Sequence, residues 1–417
     1  MSRVLTPLDA HVIMNAIVEQ STGRTDISVI DSSSYVSAGE TVMATGRENT
    51  INSLSIVISR MIVAARPITV ERRIIQSINS GVYSDRLRKL SLYPSAALAS
   101  GDFNTDLFGQ NLKEGVDNTG KTGERTPSMW EQHPKKALEL NFAGRSVYQY
   151  CTTVYKDQIN MAFRDDSEGA KFFGALMTEV ENDLKRVKTA WNVLVSNNYI
   201  AGTYALDEAG VTTGRVVNLT KAFNDRYGTA YTTQELQTTY ATEFYKFLVA
   251  QFKIISDRMA KDSALYHWSP DAENNGKLLR QTVKARQRFL YYGPFFTEAT
   301  ANVLPEIFSP QYLGDITAQG ESVDGWQSSD EPAALKWKAA IPDESGEQKA
   351  SADVELDYVI GILYDVDAMM TDYLLDDVNT TPLEARKGYH NVWHSMARNA
   401  INDHTENAVL FIMKDED

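Results

Sequence analysis

Between residues 173 and 194 apolar side chains return every three or four positions: Phe173, Leu176, Met177, Val180, Leu184, Val187, Trp191 and Leu194. Glu179, Glu181, Asp183, Lys185 and Lys188 fill the remaining face. That period lays one apolar stripe along a helix, so 167–198 is predicted to be a long amphipathic helix. A second helix is predicted over 231–262. Thr232 and Glu235 fit a capping box at its start, and Leu236, Tyr240, Phe244, Phe247, Leu248 and Ile255 form its stripe. Shorter helices are expected at 6–22, opened by Thr6-Pro7 and closed by Gly23, and at 50–65, stopped by Arg66-Pro67.

Other stretches lean towards strands. RQRFLYYG near 290, ELDYVIGILYD near 360 and NAVLFIMKD at the end are rich in β-branched and aromatic residues. Two further β-leaning runs, ITVERRIIQSINSGVY and KKALELNFAGRSVYQYCTTVYKDQINMAF, enclose a Gly-, Asn- and Thr-rich excursion, and Gly144 is a candidate bulge in the second. This arrangement predicts a long protruding hairpin, or flap, over 66–160. Residues 24–50 are small, polar and without helical period, which fits a disordered linker or an extended arm lying on something else, and their Val and Ile content favours the arm. A helix is expected at 296–308 and a loop-rich part at 314–352. The class is α+β, with no internal repeat.

Composition narrows the picture. With 417 residues, 43% of them hydrophobic, the chain can bury a real core and is expected to form two or three domains. The net charge of −14 excludes a strong sequence-blind grip on nucleic acid, which needs clustered Lys and Arg. One cysteine, Cys151, excludes an internal disulfide and a Cys-based metal site. The first residues lack the basic and apolar regions of a secretory signal, and SIVISRMIVAA is short and interrupted by Arg60. A soluble protein folding in a cytoplasm, with no membrane partner, is the expectation.

Charge is unevenly placed. Residues 66–90 hold Arg66, Arg72, Arg73, Arg86, Arg88 and Lys89 against Glu71 and Asp85, a net of +4. From 353 to the end, 14 acidic residues face four basic ones, a net of −10. These are either two solvated faces or a basic flap that meets an acidic surface on another copy.

Candidate chemistry is thin. GVDNTGKT at 115–122 matches the phosphate-loop pattern, with Lys121 as its lysine. The polar FGQNLKE before it is no buried strand, and Gly123 and Pro127 after it oppose the helix such a loop must open. His390 and His394 have a spacing that joins two imidazoles on a helix face, but Asn391 stands where a zinc hydrolase carries its glutamate. Asp165-Asp166, Asp365 with Asp367, and Asp376-Asp377 are pairs expected by chance in so acidic a chain. There is no G-x-S-x-G elbow. No catalytic, cofactor-binding or metal-ligating residue is assigned, and no cofactor is expected.

Several stretches together resemble the major capsid proteins of small tailed bacteriophages. They are DISVIDSSSYVSAGETVMATGRENTINSLSIVISRMIVAARP, VDGWQSSDEPAALKW, YVIGILYDVDAMM and GYHNVWHSMARNAINDHTENAVLF, in that order. The resemblance implies the Hong Kong 97-like capsid fold: an N-terminal arm, a protruding E-loop, a peripheral domain on a long spine helix, and an axial domain at the capsomer centre. On this chain that assigns 1–50 to the N-terminal helix and extended arm, 51–162 to the first peripheral helix and E-loop, and 163–225 to the peripheral domain with its spine helix. It assigns 226–350 to the axial domain and 351–417 to the returning C-terminal strands. It further implies a structural protein, not an enzyme, that self-assembles into hexamers and pentamers of an icosahedral shell around double-stranded DNA. The other partners implied are a scaffolding protein and a portal at one vertex. Assembly would take place in the host bacterial cytoplasm and the product would be the virion. Arg72, Arg73, Arg86, Arg88 and Lys89 are the candidate inter-subunit contacts. The Lys–Asn cross-link of some members of this fold has no matching motif here. A nanocompartment shell of the same fold and, more distantly, a phosphate-loop nucleotide enzyme are the alternatives.

Overall fold

The computed structural model describes residues 7–23, 28–44, 70–80, 86–94, 135–155, 166–270, 277–302, 320–327, 329–342, 349–382, 384 and 386–415. The predicted helix at 50–65 and the phosphate-loop pattern at 115–122 lie outside them.

The order begins with α1 (Pro7–Thr22) and α2 (Ser32–Ala44), then β1 (Gln76–Ile78), β2 (Arg86–Leu92), β3 (Ala137–Ala143) and β4 (Ser146–Tyr155). The long helix α3 (Asp166–Glu208) follows, then β5 (Val216–Asn218), α4 (Leu219–Tyr227), α5 (Thr233–Thr238) and α6 (Ala241–Met259). Next come β6 (Gln287–Tyr292), α7 (Gly293–Asn302), β7 (Gly320–Val323), β8 (Leu335–Pro342) and β9 (Lys349–Leu356). The chain closes with β10 (Val359–Asp365), β11 (Met369–Thr380), β12 (Tyr389–Asn402) and β13 (Ala408–Ile412).

The strands form two larger sheets and two hairpins. One sheet runs β1-β11-β12-β4 and the other β5-β13-β10-β6-β7, while β2 pairs β3 and β8 pairs β9. In the five-stranded sheet β10 is buried along its whole length, as is β13 beside it. Their unbroken apolar runs are what a strand covered on both faces requires. Above this sheet lies an aromatic core. Phe252 of α6 meets Phe411 edge-on at 4.4 Å and Phe289 at 5.1 Å, and Phe244, Phe295 and Phe296 join it. The stripe expected on the second long helix faces this core, with Leu236, Phe244, Phe247, Leu248 and Ile255 all buried.

Five expectations change. The segment 231–262 is two helices, because the chain turns at Thr239 and Tyr240, where Tyr240 stacks on Tyr231 at 4.0 Å. The capping box at Thr232 and Glu235 is present. Residues 32–44, read as extended arm, are helix α2. Asp31 accepts from the Ser34 amide at 2.8 Å and caps it, and Tyr35, Ala38 and Val42 are buried at helical spacing. The Ser-rich composition hid a cap. The part read as loop-rich, 314–352, holds β7, β8 and the start of β9. Its strands bury Val323, Leu335 and Ala339 singly between exposed residues, and Lys336–Glu355 pairs it at 2.8 Å across the hairpin. The helix expected at 296–308 begins earlier, at Gly293. The fifth change concerns the stripe of α3: Val187 and Trp191 are buried, but Leu194 is 40% exposed. The inward face has turned towards Asn192, Ser196 and Asn197, which are all buried.

Gly361 in β10 marks a close approach between strands. A Cβ there would stand 2.6 Å from the Leu290 carbonyl oxygen and 3.0 Å from the Tyr291 Cα. Backbone atoms of a central strand have little room to yield. Gly361→Ala is expected to lower unfolding free energy by about 1–3 kcal/mol, seen as a lower urea midpoint at unchanged m-value.

Candidate functional site

The sequence-level candidates point to the flap, and the structure describes its stem. Strands β2 and β3 pair antiparallel from Arg86↔Ala143 to Leu92↔Ala137. Alternate residues face opposite ways. Lys89, Ser91 and, just beyond the strand, Tyr93 turn inward, whereas Arg88, Leu90 and Leu92 turn outward. Leu90 is 64% exposed and Leu92 58%.

The inward side is bolted to the body at the turn between β12 and β13. The Lys89 ammonium donates to both Asp403 and Glu406. Arg280 adds a hydrogen bond from its Nη2 to Ser91 Oγ at 2.7 Å and one from its Nε to the Thr405 carbonyl at 3.1 Å. The Tyr93 hydroxyl donates to the Pro270 carbonyl at 2.7 Å. Burial works against the Lys89 cation, but the two carboxylates outweigh it and hold its pKa above the ordinary lysine value. For Glu406 burial dominates and pushes the carboxyl up, with Lys89 and Arg280 pulling the other way.

Behind the turn lies α3. His404 stacks flat on Tyr199, ring centroids 4.7 Å apart and planes 2° apart. The Tyr199 hydroxyl donates to the Asp403 carbonyl at 3.3 Å and accepts from Arg215 Nη2 at 3.1 Å. Arg215 also reaches Thr203 Oγ1 at 3.4 Å. Gly202 lets the histidine in: a Cβ there would stand 2.9 Å from His404 Nε2. Burial, with the Arg215 cation second, holds the His404 imidazole well below its usual pKa. His267 and His394 are also lowered by burial.

Arg72, a candidate contact for another subunit, lies inside its own chain. Its Nη1 donates to Ser196 Oγ and, at 2.7 Å, to Asn197 Oδ1, and its Nη2 to the Trp326 carbonyl at 3.1 Å. Its acceptors are neutral, and burial draws the guanidinium down to about 10. Lys89 likewise spends its charge within the chain. Arg88 pairs with Glu139 across the hairpin at 3.0 Å, both well exposed. Arg73 is exposed, and Arg86 stands opposite Ala143 at the open end of the register.

Other motifs resolve differently. His390 and His394 sit on strand β12, where four residues span about 13 Å, so the helical spacing that would join them does not exist. His390 bonds the Thr381 carbonyl at 3.0 Å. Asp365 and Asp367 both accept from Arg286 Nη2, at 2.9 and 2.5 Å. The anchor turn itself went unseen in the sequence. Its signal is the polar run Asn402-Asp-His-Thr-Glu-Asn407 set between two apolar strands. The arrangement ties carboxylates of the body to cations at the foot of the hairpin. No helix among the described residues is long and apolar enough to cross a membrane.

No family model and no curated protein matches the chain. Among solved structures it is similar to a chain in the capsid structure of Staphylococcus phage Andhra, with 9% identity, 84% of this chain and 86% of that one covered, and a TM-score of 0.51. It is also similar, at 9% identity, to a chain in the structure of the head fiber and inner core protein gp22 of native bacteriophage P68, with the same coverage and a TM-score of 0.48. The first likeness shows the fold: the chain has the α+β architecture found in a phage capsid.

Lys89→Met should strand the buried Asp403 without its cation and cost about 2 kcal/mol or more of stability, measured by urea unfolding. A histidine depressed in the folded state contributes stability that is complete above its unfolded value near 6.5 and lost as pH falls through the lower folded value. Each such group adds a slope of at most about 1.4 kcal/mol per pH unit. Unfolding free energies at pH 7 and 5.5 should therefore fall more steeply in the parent than in His404→Gln.

Proposed function

We propose that this chain is the major capsid subunit of a tailed phage, a structural protein that assembles as hexamers and pentamers into an icosahedral shell around double-stranded DNA. The observation that carries this reading is the fold shared along 84% of the chain with a chain of a phage capsid. The flap supports it independently. A two-stranded hairpin with exposed leucines on its outer face is marginal by itself and gains its cover from a neighbour. In this reading α3 is the spine helix. The four-stranded sheet belongs with it to the peripheral part of the subunit, and the five-stranded sheet with its aromatic core forms the axial part. The product is the virion, assembled in a bacterial cytoplasm, with a scaffolding protein and a portal as partners during assembly. The DNA is enclosed without sequence-specific contact, as the acidic balance suits. Arg73, Arg86 and Arg88 remain the flap cations facing neighbouring subunits.

Heterologous contacts between identical subunits close into rings when the rotation permits. Expressed alone or with its scaffold, the protein should give rings or closed shells in negative-stain electron microscopy. A monodisperse monomer under every such condition would overturn the reading.

A further inference from the structure

Open sheet edges invite another strand, and proteins blunt them by keeping edge strands short or charged. Among the described residues this chain follows that rule at every edge but one. The edges β1, β5 and β7 are three, three and four residues long. The β2–β3 hairpin carries Arg86, Arg88, Lys89 and Glu139, and the β8–β9 hairpin Lys336, Lys338, Lys349, Asp353 and Glu355. The exception is β4, which borders the four-stranded sheet and pairs with β12 alone. It is ten residues long, SVYQYCTTVY, without a charge or a proline. Among the described residues its ladder therefore runs along one side only, in a protein whose net charge of −14 otherwise sets copies against each other.

The strand is also complementary to itself. Turned antiparallel about Cys151, it sets Val147 against Tyr155, Tyr148 against Val154, Gln149 against Thr153 and Tyr150 against Thr152. Aromatic residues meet β-branched ones on both faces, the favoured kind of cross-strand pair. The faces agree with burial. Tyr150, Thr152 and Val154 turn to the protected side, and Tyr148 packs edge-on against Trp191 of α3 at 5.6 Å. Val147, Gln149, Cys151, Thr153 and Tyr155 turn outward on the other side. A two-fold axis normal to the sheet keeps both arrangements in both copies.

We propose that β4 pairs edge to edge with β4 of a second copy, antiparallel and centred on Cys151, joining two four-stranded sheets into one. The contact is isologous, unlike the head-to-tail contacts that build a ring, so it links rings to one another. It rests on the reading of the chain as a self-assembling shell subunit.

Cys151 is exposed and is the chain's one cysteine, so any disulfide dimer is a link between two copies of it. Opposed residues of an antiparallel pair lie about 4.5–5.5 Å apart at Cα, within disulfide reach. Copper–phenanthroline oxidation of assembled protein should give a covalent dimer on a non-reducing gel. In a Cys151→Ser background, Gln149→Cys alone should link at least about tenfold more slowly, because it faces Thr153, some 13 Å from its own copy across the axis. Gln149→Cys with Thr153→Cys should restore rapid linking. Cys151→Lys sets like charges opposite each other and should raise the dissociation constant of the contact about fivefold. Assemblies that form but do not link through Cys151, or that link equally well through Gln149→Cys alone, overturn this pairing and leave the shell reading standing. Absence of any assembly overturns both.

Discussion

A helix that buries Asn192, Ser196, Asn197, Tyr199 and Thr203 has to find each of them a partner, because an unmatched polar group in the interior is expensive. On α3 those partners come from every other layer of the fold. The backbone before β1 accepts from Asn192, the carbonyl of Trp326 accepts from Asn197, and Arg215 bonds Tyr199 and Thr203. The turn at 403–406 rests on Tyr199 through both a stacked ring and a hydrogen bond. An apolar stripe would have tolerated a slide or a rotation. This polar face fixes the helix, the two sheets and the flap stem in a single arrangement.

What the chain disclosed in advance follows from where its energy lies. The helices with apolar period, the capping box at Thr232, and the strands at 287–292, 359–365 and 408–412 were legible because burial of large side chains decides them. Helix α2 and the β8–β9 hairpin were not, since their inward residues, Tyr35 and Val42 in the one and Leu335, Val354 and Leu356 in the other, stand singly among Ser, Lys, Glu and Ala. Leu194 was placed on the wrong face because a stripe of polar residues displaced it, and no hydrophobicity pattern records that. The same blindness affected charge. Arg72 and Arg88 look alike in a basic run, yet one is sealed inside and the other is exposed. The anchor turn needed contacts more than 300 residues apart in sequence, Lys89 with Asp403 and Glu406, which spacing alone does not reveal.

Electrostatics in this fold are resolved locally. The acidic C-terminal run reads in sequence as a solvated face or as a surface for the basic flap of another copy, but four of its carboxylates are tied by Lys89, Arg280 and Arg286 of the same chain. A surface whose strongest charges are paired at home can approach a copy of itself more closely than its net charge implies. Hydrogen-bonding edges and exposed apolar faces, more than opposite fields, are then left to choose the neighbours.

Arg72 combines two features that seldom meet: a buried guanidinium and a backbone φ of 54°. That left-handed conformation costs a residue with a Cβ about 1–2 kcal/mol, and glycine would adopt it freely. Arginine stands there because its bonds to Asn197 and Trp326 outweigh the penalty, and those bonds span 125 and 254 residues of chain. A local bend is thus made worth adopting only by distant parts of the protein. The bend at this position therefore depends on α3 and the loop after β7 both being in place.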